Sequence, residues 1–243
     1  MAKKGDKKHL KRLNTPKVRK APKKEKKWAT ASSPGPHSAD ASIPLSVAMR
    51  ESLKIARTTK EAKKILGRGR VKIDGKVRRD PKYPVGFMDL VEIPKAGEIW
   101  RVIYDRRGHL QFYEVDEDES QFKLAKVVGK HPYKGGKLQL SLHDGRTIVG
   151  NFEDIDVKDT VKVGLPDFEV EDHIPCEEGN PAFVMGGTNV GRKGKIKEIM
   201  EIGGSSSNRF VIETDGEEFQ SPEHFVFIIG KEKSEISLPE VIG

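Results

Sequence analysis

The nearest approach to a reaction site in this chain is Gly186, four intervening residues, then Gly191-Arg192-Lys193. Two glycines at that spacing free backbone amides to cradle a nucleotide phosphate, provided a lysine and a hydroxyl follow. Here Arg192 replaces the lysine, and Lys193 replaces the Ser or Thr that would hold magnesium. The β-type pattern around the loop also lacks the helix that should follow it, so nucleotide hydrolysis is not expected. His173 and Cys176, the only cysteine, stand three apart in a turn-like stretch with no orienting partner. Cysteine there serves as a small apolar filler. His143-Asp144 runs into Gly145, and an Asp-Gly hairpin turn already explains the aspartate. None of the seven histidines has metal-ligand spacing such as His-x-x-x-His on a helix. Asp116-Glu117-Asp118-Glu119 reads as a solvated acidic loop. No catalytic residue, metal or cofactor is expected.

The chemistry these residues do favour is neutralisation of phosphate. The first 27 residues carry thirteen lysines and arginines, among them Lys3, Lys4, Lys7, Lys8, Lys11, Arg12, Lys17, Arg19 and Lys20, against only Asp6 and Glu25. Such a segment has little apolar surface to bury and repels itself, so it is expected to stay extended until it meets a polyanion. Each phosphate it neutralises releases condensed counterion, which makes RNA or DNA its natural partner. A merely solubilising tail is the alternative. The net charge of the whole chain is +8, so the tail outweighs everything after it. Residues 43–93 hold thirteen basic and six acidic side chains, and 94–243 hold 19 and 28. The first third should therefore face the polyanion, and the acidic remainder should face solvent or other proteins.

At 243 residues the chain has room for two or three domains beyond the tail. No run approaches a membrane span of about 20 apolar residues, and no apolar core of a signal peptide follows the basic start. One cysteine allows no intrachain disulfide and no Cys-x-x-Cys zinc site. A cytoplasmic address is expected.

Residues 28–43 form a Ser/Pro/Gly-rich connector in which Trp28 and His37 either stack on bases or pack on the next domain. From Pro44 the pattern turns helical, with Leu45, Ala48, Met49, Ser52, Leu53 and Ala56 on one stripe. Thr58-Thr59-Lys60-Glu61 reads as a capping box opening a second helix that Gly67 ends. Val71–Val77 then predicts a hairpin turning at Asp74-Gly75, and Leu90–Ile93 predicts a further strand. Arg50, Lys54, Lys60, Lys63, Lys64, Arg68, Arg70, Lys72, Lys76 and Arg78 are the candidate RNA contacts of this unit.

Beyond residue 93 the chain reads as β-rich. Ile99–Tyr104 and Leu110–Val115 flank a hairpin with a basic tip, and Leu138–Leu142 and Arg146–Val149 flank another. From about Glu177, five short strands suggest a small barrel, with Gly186–Gly194 looping between the first two.

The run TKEAKKILGRGRVKIDGKVRRDP resembles the S4-type RNA-binding module, and the loop Gly186–Gly194 resembles the KOW motif of SH3-like barrels. In the KOW reading Arg192 and Lys193 approach a phosphate backbone; the competing reading is a purely structural turn. The chain as a whole resembles the small-subunit ribosomal protein family "S four, e type" of archaea and eukaryotes, and its short acidic C-terminus looks archaeal. The resemblance rests on Lys8–Leu13, Ser33–His37, Lys72–Arg78, Tyr83–Asp89, Gly179-Asn180, Gly186–Arg192 and Ile236–Pro239. It implies an α+β, mostly β fold. A basic extended arm and linker (1–42) would precede an S4-like domain (43–93), a central β domain (94–172) and a KOW barrel with a tail (173–243). It further implies a structural, non-enzymatic constituent of the 30S subunit, whose partners are small-subunit rRNA and neighbouring ribosomal proteins. The alternatives are an RNA-modifying enzyme, or a transcription elongation factor gripping polymerase with the KOW barrel.

Overall fold

Apolar residues that alternate over short runs, broken by Gly and Asp turns, build three five-stranded antiparallel sheets here. The computed structural model describes residues 9–204, 207–214 and 216–239. In the arm, β1 (Leu10–Lys11) pairs with β2 (Trp28–Ala29), and the Arg12 N–H donates to Lys27 O at 3.0 Å. The described part of the arm therefore folds back on itself, contrary to an extended arm. Two buried guanidiniums explain this. Arg12 faces Glu51 at 3.6 Å. Arg19 donates to Ser42 O (2.9 Å), Thr30 O (3.0 Å) and Ser32 Oγ (2.9 Å). Burial lowers the Arg19 pKa to about 10, although Asp40 supports its charge. Arg19→Ala would strand these acceptors, so it should cost about 1.5–3 kcal/mol in urea unfolding and open the Lys20–Lys27 stretch to trypsin.

After β3 (Ser42–Pro44), the expected first helix is only α1 (Leu45–Val47) followed by a π-type turn over Ala48–Ser52. The stripe residues Leu45, Ala48, Met49 and Ala56 are buried as its spacing predicts, but Lys54 takes a positive φ of 56° and swings the chain away. The second helix, α2 (Thr59–Gly67), starts as the capping box requires: Thr58 Oγ1 accepts from Glu61 N–H at 3.2 Å. Glu61 reaches back to the Arg57 N–H at 2.9 Å. The hairpin β4 (Lys72–Ile73) and β5 (Lys76–Val77) turns at Asp74 and Gly75, with φ of 48° and 71°. Next, β6 (Pro84–Gly86) pairs with β3, and β7 (Leu90–Ile93) pairs with both β4 and β8 (Glu98–Tyr104).

The first sheet then runs β5-β4-β7-β8-β9, with β9 (Leu110–Glu114) at its edge. Backbone pairing thus continues past the expected boundary at 93/94. The backbone groups on the far edge of β7 would be buried unpaired without a partner, and the tight turn closed by Gly97 N–H to Ile93 O (3.1 Å) brings β8 onto that edge. The expected solvated acidic loop is also partly occupied. Glu119 accepts from the buried Arg101 at 3.0 Å and from the Ser237 N–H at 2.8 Å.

The second sheet contains β10 (Phe122–Pro132), β11 (Leu138–Leu142), β12 (Thr147–Gly150), β13 (Thr160–Gly164) and β14 (Val170–Ile174), in the order β12-β11-β10-β13-β14. The third is β18-β17-β16-β15-β19. Its strands are β15 (Pro181–Val184), β16 (Lys193–Met200), β17 (Arg209–Thr214), β18 (Glu217–Pro222) and β19 (Val226–Ile228). Phe87 joins the first sheet to the third: its ring lies 5.4 Å from Tyr104, 5.5 Å from Phe183 and 5.2 Å from Phe227. Each such pair adds about 0.5–1.5 kcal/mol beyond area burial. Lys126 joins the second sheet to the third by donating to Glu223 O (2.8 Å) and Val226 O (2.6 Å), and burial lowers its pKa to about 8.

A buried ionic cluster clasps connector, first sheet and second sheet together. Lys123 Nζ donates to Asp89 at 2.6 Å and to Asp74 and Asp144 at 3.1 Å each. Arg146 reaches Asp74 at 2.7 Å, and His37 Nε2 lies 3.0 Å from Asp89. The connector can enter because Gly86 has no side chain; a Cβ there would sit 2.3 Å from the His37 ring. Burial disfavours the Lys123 charge, but its three carboxylates outweigh this and hold its pKa above the lysine range. Burial likewise opposes ionisation of Asp89, yet His37 and Lys123 keep its carboxyl below the usual range. Three carboxylates face two strong cations, and burial leaves Asp74 above that range even beside Lys123.

Candidate nucleic-acid interface

The folded arm crosses the open edge of the first sheet, where the Leu110 N–H donates to Val18 O at 2.9 Å. A cleft of about 750 Å³ results, lined by Lys17, Lys20 and Lys23 from the arm, Lys54 from beyond the π-type turn, and Arg107 and His109 from the β8–β9 hairpin. Among the described residues Glu51 is the one carboxylate along it. The positive φ of Lys54 presents that side chain to solvent. Asp105 fixes the hairpin tip by accepting from the N–H groups of Arg107 (2.9 Å) and His109 (2.7 Å). Partial burial raises the Asp105 pKa, but these donors and Gln111 outweigh it and hold the carboxyl low. Arg106 and Arg107 are thereby left exposed. Five exposed ammonium and guanidinium groups along one cleft, with the buried Arg19 beneath, create a positive potential suited to a phosphate backbone.

On α2, Ala62 and Leu66 face the core while Lys60, Lys63 and Lys64 are exposed, as is Arg68 just past its end. Arg50 is half-buried and braces the helix start, donating to Thr59 Oγ1 at 2.8 Å. Arg70 is half-buried, and Lys72 is paired with Glu92 at 3.6 Å. Lys76 lies 4.4 Å from the centroid of Phe168, and Arg78 stacks 4.6 Å over Tyr83. Lys11 is exposed on β1, whereas Arg12 and Arg19 are buried braces, which removes these two from direct RNA contact. Lys3, Lys4, Lys7 and Lys8 lie outside the described residues.

The Gly186–Gly194 loop holds its cations at home. Arg192 faces Glu217 at 3.7 Å and Phe219 at 5.2 Å, and Lys193 donates to Pro239 O at 3.3 Å. The loop instead docks on the basic hairpin. Gly191 has φ 76°, and a Cβ there would meet the Asp105 carbonyl carbon at 2.6 Å, so only glycine fits. Sequence reasoning saw the basic tip at Arg106-Arg107 but had no signal that the arm, some 90 residues earlier, would lie beside it.

A half-exposed basic helix, a tight hairpin and a mostly β framework define a protein built on an S4 domain. The S4 domain matches residues 47–91, the RS4NT domain matches residues 4–40, and the Ribosomal family S4e matches residues 96–170. The small ribosomal subunit protein eS4 of Methanothermobacter thermautotrophicus is 43% identical over 240 residues, covering 98% of this chain and 99% of that one. Its namesake from Methanosphaera stadtmanae is 40% identical, with 98% of both chains covered. The crystal structure of the 30S ribosomal protein S4e from Thermoplasma acidophilum matches with a TM-score of 0.70 and 35% identity, covering 79% of this chain and 96% of that one. This chain belongs to the ribosomal S4e family.

Proposed function

We propose that the chain is a structural constituent of the small ribosomal subunit and grips rRNA with the arm–hairpin cleft and the outer face of α2. The observation that carries this reading is the convergence of Lys17, Lys20, Lys23, Lys54 and Arg107 on one cleft. Backbone charge and A-form shape, more than sequence, are what such a surface recognises. The family is one of ribosomal structural proteins, and neither RNA modification nor polymerase binding finds support in it. Among the described residues no helix is long and apolar enough to cross a membrane. Membership of a family of small ribosomal subunit proteins supports placing the protein in that subunit, with neighbouring ribosomal proteins as its other partners. The third sheet serves as an SH3-like KOW barrel whose loop props the basic hairpin; its five strands and the seat of Gly191 on Asp105 support this.

The double charge reversal Lys20→Glu with Arg107→Glu should cut affinity for small-subunit rRNA by at least about tenfold. It should also lower the salt slope, log K against log [salt], by about two, one for each lost phosphate contact. A slope equal to that of the parent protein would move the RNA surface elsewhere.

A further inference from the structure

The seam between the β4–β5 hairpin and the second sheet holds another cleft, of about 480 Å³. Lys76 and Arg78 line one side, and Arg146 and Thr147 line the other. Phe168 stands between them, its ring centroid 4.4 Å from Lys76 Nζ and 3.9 Å from Arg146 Cζ. Carboxylates occupy only part of this positive charge. Arg146 gives Nη2 to Asp74 at 2.7 Å and turns Nε toward Asp144 at 3.5 Å, while its Nη1 is buried without an acceptor among the described residues. Arg78 Nε is buried and unpartnered in the same way. Among the described residues neither Lys76 nor Arg78 has an ion-pair partner, and Asp167 is the one further carboxylate lining the cleft. Two cations against one ring repel each other, and two guanidiniums carry N–H groups that lack an oxygen. A phosphate at the mouth would offset the repulsion between Lys76 and Arg146 across the ring.

We propose that this seam binds a phosphodiester of the same rRNA, so that RNA contact extends from the S4 domain onto the second sheet. The proposal rests on the rRNA-binding reading above. Its recognition chemistry is that of a phosphate held by the exposed Lys76 ammonium and the Thr147 hydroxyl, with the charges of Arg146 and Arg78 behind them.

Thr147 tests this, because it is exposed and takes no part in the ionic cluster. Thr147→Glu in the full chain, with folding checked by circular dichroism, should weaken small-subunit rRNA binding several-fold and lower the salt slope by about one. Thr147→Lys should strengthen binding, whereas Val157→Glu, at an exposed position outside the cleft, should leave it unchanged. If Thr147→Glu binds like Val157→Glu, or if Thr147→Lys brings no gain, the seam is not an RNA site and the arm–hairpin cleft stands alone. Loss of rRNA binding by the unaltered protein itself would remove the broader reading and this one together.

Discussion

Lys123→Met should lose about 3–5 kcal/mol of folding stability in urea unfolding, the usual consequence of removing one partner from a buried ionic group. Domains are stable by only about 5–15 kcal/mol, so this single change takes a large part of the margin. The size follows from geometry: one ammonium, 1% exposed, serves three carboxylates drawn from the first and second sheets. Methionine has a similar volume, so the loss is electrostatic rather than a cavity effect. Adding Asp74→Asn, Asp89→Asn and Asp144→Asn should recover part of it, because amides carry no charge that needs compensation. A Lys123→Met protein as stable as its parent would mean that the cluster does not clasp the units.

The second large effect is acid sensitivity through His143. Its Nδ1 accepts from the Lys126 N–H at 3.2 Å, which leaves the ring proton on Nε2 facing Phe87 O at 3.4 Å. Burial, reinforced by the Lys123 charge, pushes its pKa down to about 3. In the unfolded chain the same ring titrates near 6.5. Between those values the unfolded state binds the extra proton, so stability is lost as pH falls from about 6.5, by about 3 kcal/mol at pH 4. Asp89 and Asp144, both held below the usual carboxylate range, lose their contribution only as the pH falls further. Asp74, held above that range, works in the opposite sense, so the comparison with a variant isolates the histidine. His143→Asn keeps an acceptor for the Lys126 N–H and should flatten the stability–pH curve between 6.5 and 4. A curve with undiminished slope would assign the acid sensitivity to other groups.

Local signals carried most of the architecture. The cap at Thr58–Glu61 and the Asp74-Gly75 turn each depend on neighbours within four residues, and both form, with Glu61 accepting from the Arg57 N–H in place of that of Thr58. The five strands of the third sheet were visible in the same way. Contacts between distant segments were not visible. Asp74, Asp89, Asp144 and His37 each had an adequate local role as turn or connector residues, and nothing local tells that Lys123 joins them. Arg12 and Arg19 read as two more cations in a basic tail, because their partners are mostly backbone carbonyls, with Glu51 and Ser32 distant in sequence, and no local pattern announces either. The proposed RNA surface was legible as charge on α2 but not as a cleft, since the arm's folding back against β9 depends on those same buried guanidiniums.

The most direct test of where RNA lies is ultraviolet cross-linking within isolated small subunits, with the cross-linked peptides of this chain mapped by mass spectrometry. Cross-links are expected on residues 17–23, on the segment around Lys54 and on the hairpin at Arg106-Arg107. Cross-links confined to the acidic stretches around residues 116–119 and 153–156, with none on that cleft, would contradict it.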